Sequence, residues 1–151
     1  MSTARTNGRT SSLTASPNRL VATIFGAVYL LVGLVGFFYT AGTPFASPGK
    51  SGNLILGIFE VNPLHNIAHL LIGAALLIAG LGTVSASKAT NTTVGAVYLL
   101  LGIVGFFLVG TGANILALNT PDHFLHLVSA IVLLGVGLGA EKTVRARTAA
   151  A

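Results

Sequence analysis

Four stretches of this chain run without a single Asp, Glu, Lys or Arg: between Arg19 and Lys50, Glu60 and Lys88, Lys88 and Asp122, and Asp122 and Glu141. An α-helix rises 1.5 Å per residue, so about 20 residues cross the hydrocarbon layer of a bilayer, and each stretch can hold one crossing. Only 7% of the residues are charged, against about 25% in a water-soluble domain, while 53% are hydrophobic. The chain lacks the polar surface that a soluble fold of this size needs, and lipid is its expected solvent.

The pattern predicts spans at about 20–40, 63–84, 93–110 and 121–140. Residues 1–18, rich in Ser, Thr, Ala and Asn, are expected to form a disordered cytoplasmic tail, since they cannot bury enough apolar area to fold alone. The four-helix transmembrane domain is expected over 19–140 and a basic cytoplasmic tail over 141–151. The first apolar run, Leu20 to Tyr39, is about twice as long as a signal-peptide core and reads as a retained helix. The short run Leu54 to Phe59 cannot span and is expected at the membrane interface. Pro63 behind Asn62, and Pro121 behind Asn119 and Thr120, mark helix starts, and Ser85 to Thr92 is expected as a turn. Lys and Arg concentrate in the two tails and at Lys88, with only Lys50 in the other two loops, which places both termini in the cytoplasm of a plasma-membrane protein.

Residues Gly26 to Phe38 return as Gly95 to Phe107 with eleven of thirteen positions identical. A second match pairs Asn62, His69, Leu76 and Gly80 with Asn119, His126, Leu133 and Gly137. These matches predict an all-α four-helix transmembrane bundle made of two tandem, parallel helical-hairpin repeats, related by an axis along the membrane normal. A parallel repeat with no mid-span Pro disfavours an alternating-access transporter. Small residues recur seven apart, as Gly26 and Gly33, Gly73 and Gly80, Gly95 and Gly102, and Ala130 and Gly137, and mark one packing face per span.

The four histidines, His65, His69, His123 and His126, all fall at the non-cytoplasmic starts of the second and fourth spans. Helical geometry puts His69 and His126 on the packing faces, flanked by Asn62, Asn119 and Asp122, with Tyr29 and Tyr98 at matched mid-span positions. An ionisable group in a membrane span is a candidate functional site, and neutral imidazoles can ligate zinc, copper or haem iron. Set against this are the simpler roles: histidines hydrogen-bonded across helices, tyrosines bonded to nearby carbonyls, and Asn62, Asn119 and Asp122 acting as helix caps.

Cysteine is absent, so thiolate chemistry is excluded. The net charge of +5 sits in tails and one loop, which argues against nucleic acid. Gly49-Lys50-Ser51 lacks the upstream glycine of a phosphate loop, and Asn91-Thr92-Thr93 lies on the wrong side for glycosylation. No nucleophile, base and orienting acid fall together, so no enzyme is expected.

The motif Asn62-Pro-Leu-His65-Asn-Ile-Ala-His69-Leu-Leu-Ile-Gly73, followed by Asn119-Thr-Pro-Asp122-His-Phe-Leu-His126-Leu, resembles the DUF4383 family of small four-span bacterial membrane proteins, over about Leu20 to Gly139. The resemblance implies a bacterial plasma-membrane protein and no defined activity. His123, standing where the first copy has Asn66, breaks the match between halves. The leading expectation is therefore a non-catalytic structural or regulatory membrane subunit without a cofactor, partnered by the lipid bilayer and by other membrane proteins or copies of itself. The alternatives are a metal- or haem-binding protein using the histidine cluster, and a small ion or solute conduit.

Overall fold

The computed structural model describes residues 12–46, 48 and 52–141. Among these residues are four helices, α1 (Pro17–Tyr39), α2 (Pro63–Leu81), α3 (Val84–Leu108) and α4 (Thr120–Gly139), each long and apolar enough to cross a membrane. Two short antiparallel strands, β1 (Asn53–Ile55) and β2 (Phe59–Val61), form a hairpin between α1 and α2. Helices are the form such sequences take in lipid, because every backbone N–H and C=O in the span is then satisfied within its own segment.

Each helix begins at a polar cap that accepts a main-chain N–H three residues on. Ser16 accepts from Arg19, Asn62 from His65, Thr83 from Ala86 and Asn119 from Asp122. Pro17 and Pro63 open α1 and α2, where the missing N–H costs nothing. At α4 the cap is reciprocal, since the Asp122 carboxylate accepts the Asn119 N–H at 2.9 Å.

α1 packs chiefly on α2 and α3 on α4, in two antiparallel pairs. The small residues lie in these seams. A methyl group added at Gly26 would stand 2.8 Å from the Leu77 Cα and 2.9 Å from the Gly73 carbonyl, a separation that only glycine permits. Gly95 meets the Leu134 backbone in the same way. Between the pairs, Ala22, Tyr29, Leu76, Val94, Tyr98, Ala130 and Leu133 make one buried cluster.

The structure departs from the sequence expectations at three places. Ser85 to Thr92, expected as a turn, forms the opening turns of α3. Nothing from Val84 to Val94 breaks a helix, Thr83 caps it, and the connection from α2 shrinks to Gly82 and Thr83. At the N-terminal side the chain is ordered before Arg19: Leu13–Ala15 form a 3₁₀ turn and α1 starts at Pro17, where Ser16 supplies a cap. Residues 1–11 and 142–151 of the expected tails lie outside the described residues. The run from Leu54 to Phe59 is a hairpin with Leu56 (φ 55°) and Gly57 (φ 72°) in the left-handed region at its tip.

Candidate metal centre

The end of the bundle opposite the termini is built by the starts of α2 and α4. Asn62 and Asn119 fix those starts, and their amides reach across to the loops: Asn62 Nδ2 donates to the Ile115 carbonyl and Asn119 Nδ2 to the Ile58 carbonyl. One turn in, His65 and His69 stand on α2 and His126 on α4, exposed by only 3%, 7% and 4%. Ile55, Val61, Ala117 and Leu118 are buried in the hairpin and the loop before α4 that form this end.

The donor atoms of His65, His69 and His126 all lie within 4.8 Å of one another. The His65 and His69 ring centroids are 4.4 Å apart, and those of His65 and His126 are 6.4 Å apart. His65 Nδ1 is 3.2 Å from the main-chain carbonyl of Glu60, which accepts a hydrogen bond from it and leaves Nε2 as the bare nitrogen that could ligate. A tetrahedral site with nitrogens about 2.05 Å from a metal spaces them by about 3.4 Å, so ring movements of about 1 Å would close this group on one ion.

Aromatic rings hold the two inner imidazoles in place. Tyr29 stacks on His69 with centroids 5.4 Å apart, Tyr98 stacks on His126 at 4.9 Å, and the two tyrosines meet edge to face at 5.4 Å. Tyr29 and Tyr98 thus reach the histidines through their rings. The Tyr29 hydroxyl donates to Ser129 Oγ at 2.9 Å, whereas the Tyr98 hydroxyl is buried with no hydrogen-bond partner among the described residues. Nδ1 of His69 and Nδ1 of His126 are likewise buried without partners among the described residues. Such orphaned nitrogens are what a ligand set lacking its ion would leave, since buried polar atoms are nearly always paired.

His123 does not join this group. Its ring packs on Phe106 with centroids 5.0 Å apart and lies over Gly105, filling the space where that residue has no side chain. Asn66 lies over Gly36 in the same way, but its amide donates to Thr40 Oγ1 at 3.0 Å, while neither His123 ring nitrogen has a hydrogen-bond partner among the described residues. Position 109, which aligns with Thr40 in the repeat, is valine. The expectation that His123 would be a ligand is thus corrected by its packing. Asn62, Asn119 and Asp122 frame the centre as caps.

Ser129, which was not among the expected site residues, joins the centre through the hydrogen bond it accepts from Tyr29. Its only sequence signal is its place three residues after His126, on the same side of the helix. The other end of the bundle also holds polar groups that the sequence gave little reason to single out. Asn91 donates to Asn18 at 3.0 Å, Asn18 to Glu141 at 2.7 Å, and Ser16 also donates to Glu141. Glu141, expected to open the basic tail, thus ties the end of α4 to the start of α1. Arg19 Nε donates to the Gly80 carbonyl at 3.1 Å and Lys88 Nζ to the Ala140 carbonyl at 3.2 Å, so each cation meets the C-terminal carbonyls of a neighbouring helix.

Searches of curated proteins and of solved structures find no match to the chain. A family model does match, and it covers residues 19–139, all of the helical bundle but the first two residues of α1, with both histidine motifs. The chain is a member of the family described as a domain of unknown function, DUF4383.

Proposed function

We propose that this protein is a non-catalytic structural or regulatory subunit of the plasma membrane whose buried histidine triad, His65, His69 and His126, holds one zinc or copper ion. The observation that carries the reading is the convergence of three imidazoles from two helices within 4.8 Å, in a protein interior where unpaired nitrogens are costly. Imidazole sets suit both metals, and the ion would bridge α2 of one helix pair to α4 of the other. The distribution of Lys and Arg favours both termini in the cytoplasm, which would put the centre in the outer half of the bilayer. The sequence repeat and the reciprocal Asn62 and Asn119 bonds favour descent by tandem duplication of a helical hairpin.

Two other readings fare less well. A haem ligated by His69 or His126 would need room for a porphyrin beyond its ligating nitrogen, whereas the donor atoms of the three histidines lie within 4.8 Å of one another, a spacing suited to one small ion. A conduit needs a polar path, yet Leu76, Tyr98 and Leu133 fill the middle of the bundle. The test is metal analysis of protein purified in mild detergent from cells supplied with zinc and copper. One ion per chain, lost on joint replacement of His65, His69 and His126 by Ala and kept in His123→Ala, is the expected result. No bound metal, or equal occupancy in the triple variant, would overturn the assignment.

A further inference from the structure

In the sequence match that pairs Asn62 with Asn119 and His69 with His126, His65 falls opposite Asp122. The structure gives the two residues the same place. Each is the third residue of its helix, each donates its main-chain N–H to the asparagine that caps that helix, and each stands one turn before an inner histidine of the triad. Both are buried, Asp122 to 3% exposure. Their side chains also meet on one residue of the hairpin. The Glu60 carbonyl accepts from His65 Nδ1, and the Glu60 main chain hydrogen-bonds the Asp122 carboxylate, which only its N–H can do. In a strand the N–H and C=O of one residue point to the same edge, so the Asp122 carboxylate and the His65 ring are neighbours along that edge of β2.

We propose that Asp122 is the fourth ligand of the histidine centre, which makes it a four-coordinate site for a divalent ion of the zinc type. The inference rests on the metal reading and deepens it. The carboxylate stands outside the group of donor atoms that lie within 4.8 Å of one another, and joins it by the same kind of closing movement that the rings make. A carboxylate has about four lone-pair positions, of which Asn119 and Glu60 take two, so Asp122 can ligate without giving up either bond. Charge favours this. Three neutral imidazoles would leave both charges of a zinc ion uncompensated in a buried site, where a lone charge is costly, and one carboxylate halves the excess. Three imidazole nitrogens and a carboxylate oxygen are all zinc donors, and four is the usual number in a closed structural site. His65 and His69 from α2 then oppose Asp122 and His126 from α4, so each helix supplies two ligands at a spacing of four.

Cobalt(II) can stand in for zinc as a spectroscopic probe, and the chain has no cysteine, so a thiol placed at position 122 would be the only one. The full-length protein in detergent should take up one cobalt ion. Asp122→Cys should then show a near-ultraviolet thiolate-to-cobalt charge-transfer band, which His123→Cys, one residue on, should lack. Asp122→Asn should weaken zinc binding by about 100-fold in competition with a chromophoric chelator. Asn119→Ala, which breaks the same capping box from its other side, should leave zinc affinity unchanged, a split that an Asp122 acting only as a cap would not give. Metal uptake that needs His65, His69 and His126 but is the same in Asp122→Asn, or equal losses in Asp122→Asn and Asn119→Ala, would overturn the proposal and leave the triad standing. So would cobalt bound to Asp122→Cys without the charge-transfer band. Wild-type protein that takes up neither zinc nor cobalt would overturn the triad reading, and this one with it.

Discussion

Asn62 and Asn119 hold each other's surroundings in place: the amide of Asn62 donates at 2.8 Å to Ile115 in the loop before Asn119, and that of Asn119 donates at 2.7 Å to Ile58 in the hairpin before Asn62. Each side chain also caps its own helix through its oxygen. Two functions therefore sit on opposite atoms of one amide, and they can be separated by substitution.

Asn62→Asp keeps the cap and loses the donor, while Asn62→Ala loses both. The alanine variant should lose about 1–2 kcal/mol, and the aspartate variant a smaller amount. The same order should hold at Asn119. Thermal or denaturant unfolding in detergent measures it; an aspartate variant as unstable as the alanine one would remove the cap from the account.

Tyr29 and Tyr98 occupy matched positions but differ in their bonds. Tyr29→Phe deletes a buried hydrogen bond to Ser129 and should cost about 1 kcal/mol. Tyr98→Phe removes a buried hydroxyl that has no hydrogen-bond partner among the described residues, and should leave stability unchanged or raise it. Parallel melts of the two single variants decide the matter, and equal losses would contradict the assigned bonding.

The α1–α2 seam permits no side chain at Gly26 or Gly73, because the added carbon would meet backbone atoms of the opposite helix. Gly73→Val should destabilise the bundle by about 2 kcal/mol or more through forced separation of the helices. The same change at Gly135, where an added methyl meets nothing, should be nearly silent. Unfolding of the two variants side by side tests whether close approach, and not glycine as such, is what matters.

Glu141 accepts hydrogen bonds from Ser16 and Asn18 and joins the last residues of the bundle to the first. Glu141→Ala should leave two buried donors unpaired and cost about 2 kcal/mol, and Glu141→Gln, which keeps one acceptor oxygen, about half as much. Limited proteolysis near residue 140, together with melting, reads out the release. Unchanged protection in the alanine variant would count against the tie.

The crossing segments were legible because each lies between charges and begins at a recognisable cap: Asn62-Pro63 and Asn119-Thr120-Pro121 mark the starts of α2 and α4. The inward setting of His69 and His126 followed from helical geometry and the glycine faces. The start of α3 is not legible because Ser85 to Thr92 is polar, and polarity alone does not separate a turn from a capped helix that runs on past the apolar stretch. His123 shared the residue type and the neighbourhood of the other three, and only the glycine beneath it, at position 105 on another helix, decides where its ring goes. Ser129 and the Asn18, Asn91 and Glu141 network depend on contacts between residues 73 to 123 positions apart, which no local pattern displays.

The junction of Gly82 and Thr83 between α2 and α3 acts on the bundle as the spring end of a clothes-peg. Two residues, backed by the bond from the Ser87 hydroxyl to the Ala79 carbonyl, give the helix pairs no room to part there. Any relative swing of the pairs must therefore be widest at the far jaw, where His65 and His69 face His126 across the gap. An ion gripped by that jaw would set how far it opens, and its loss would be felt first by the loops that Asn62 and Asn119 hold shut.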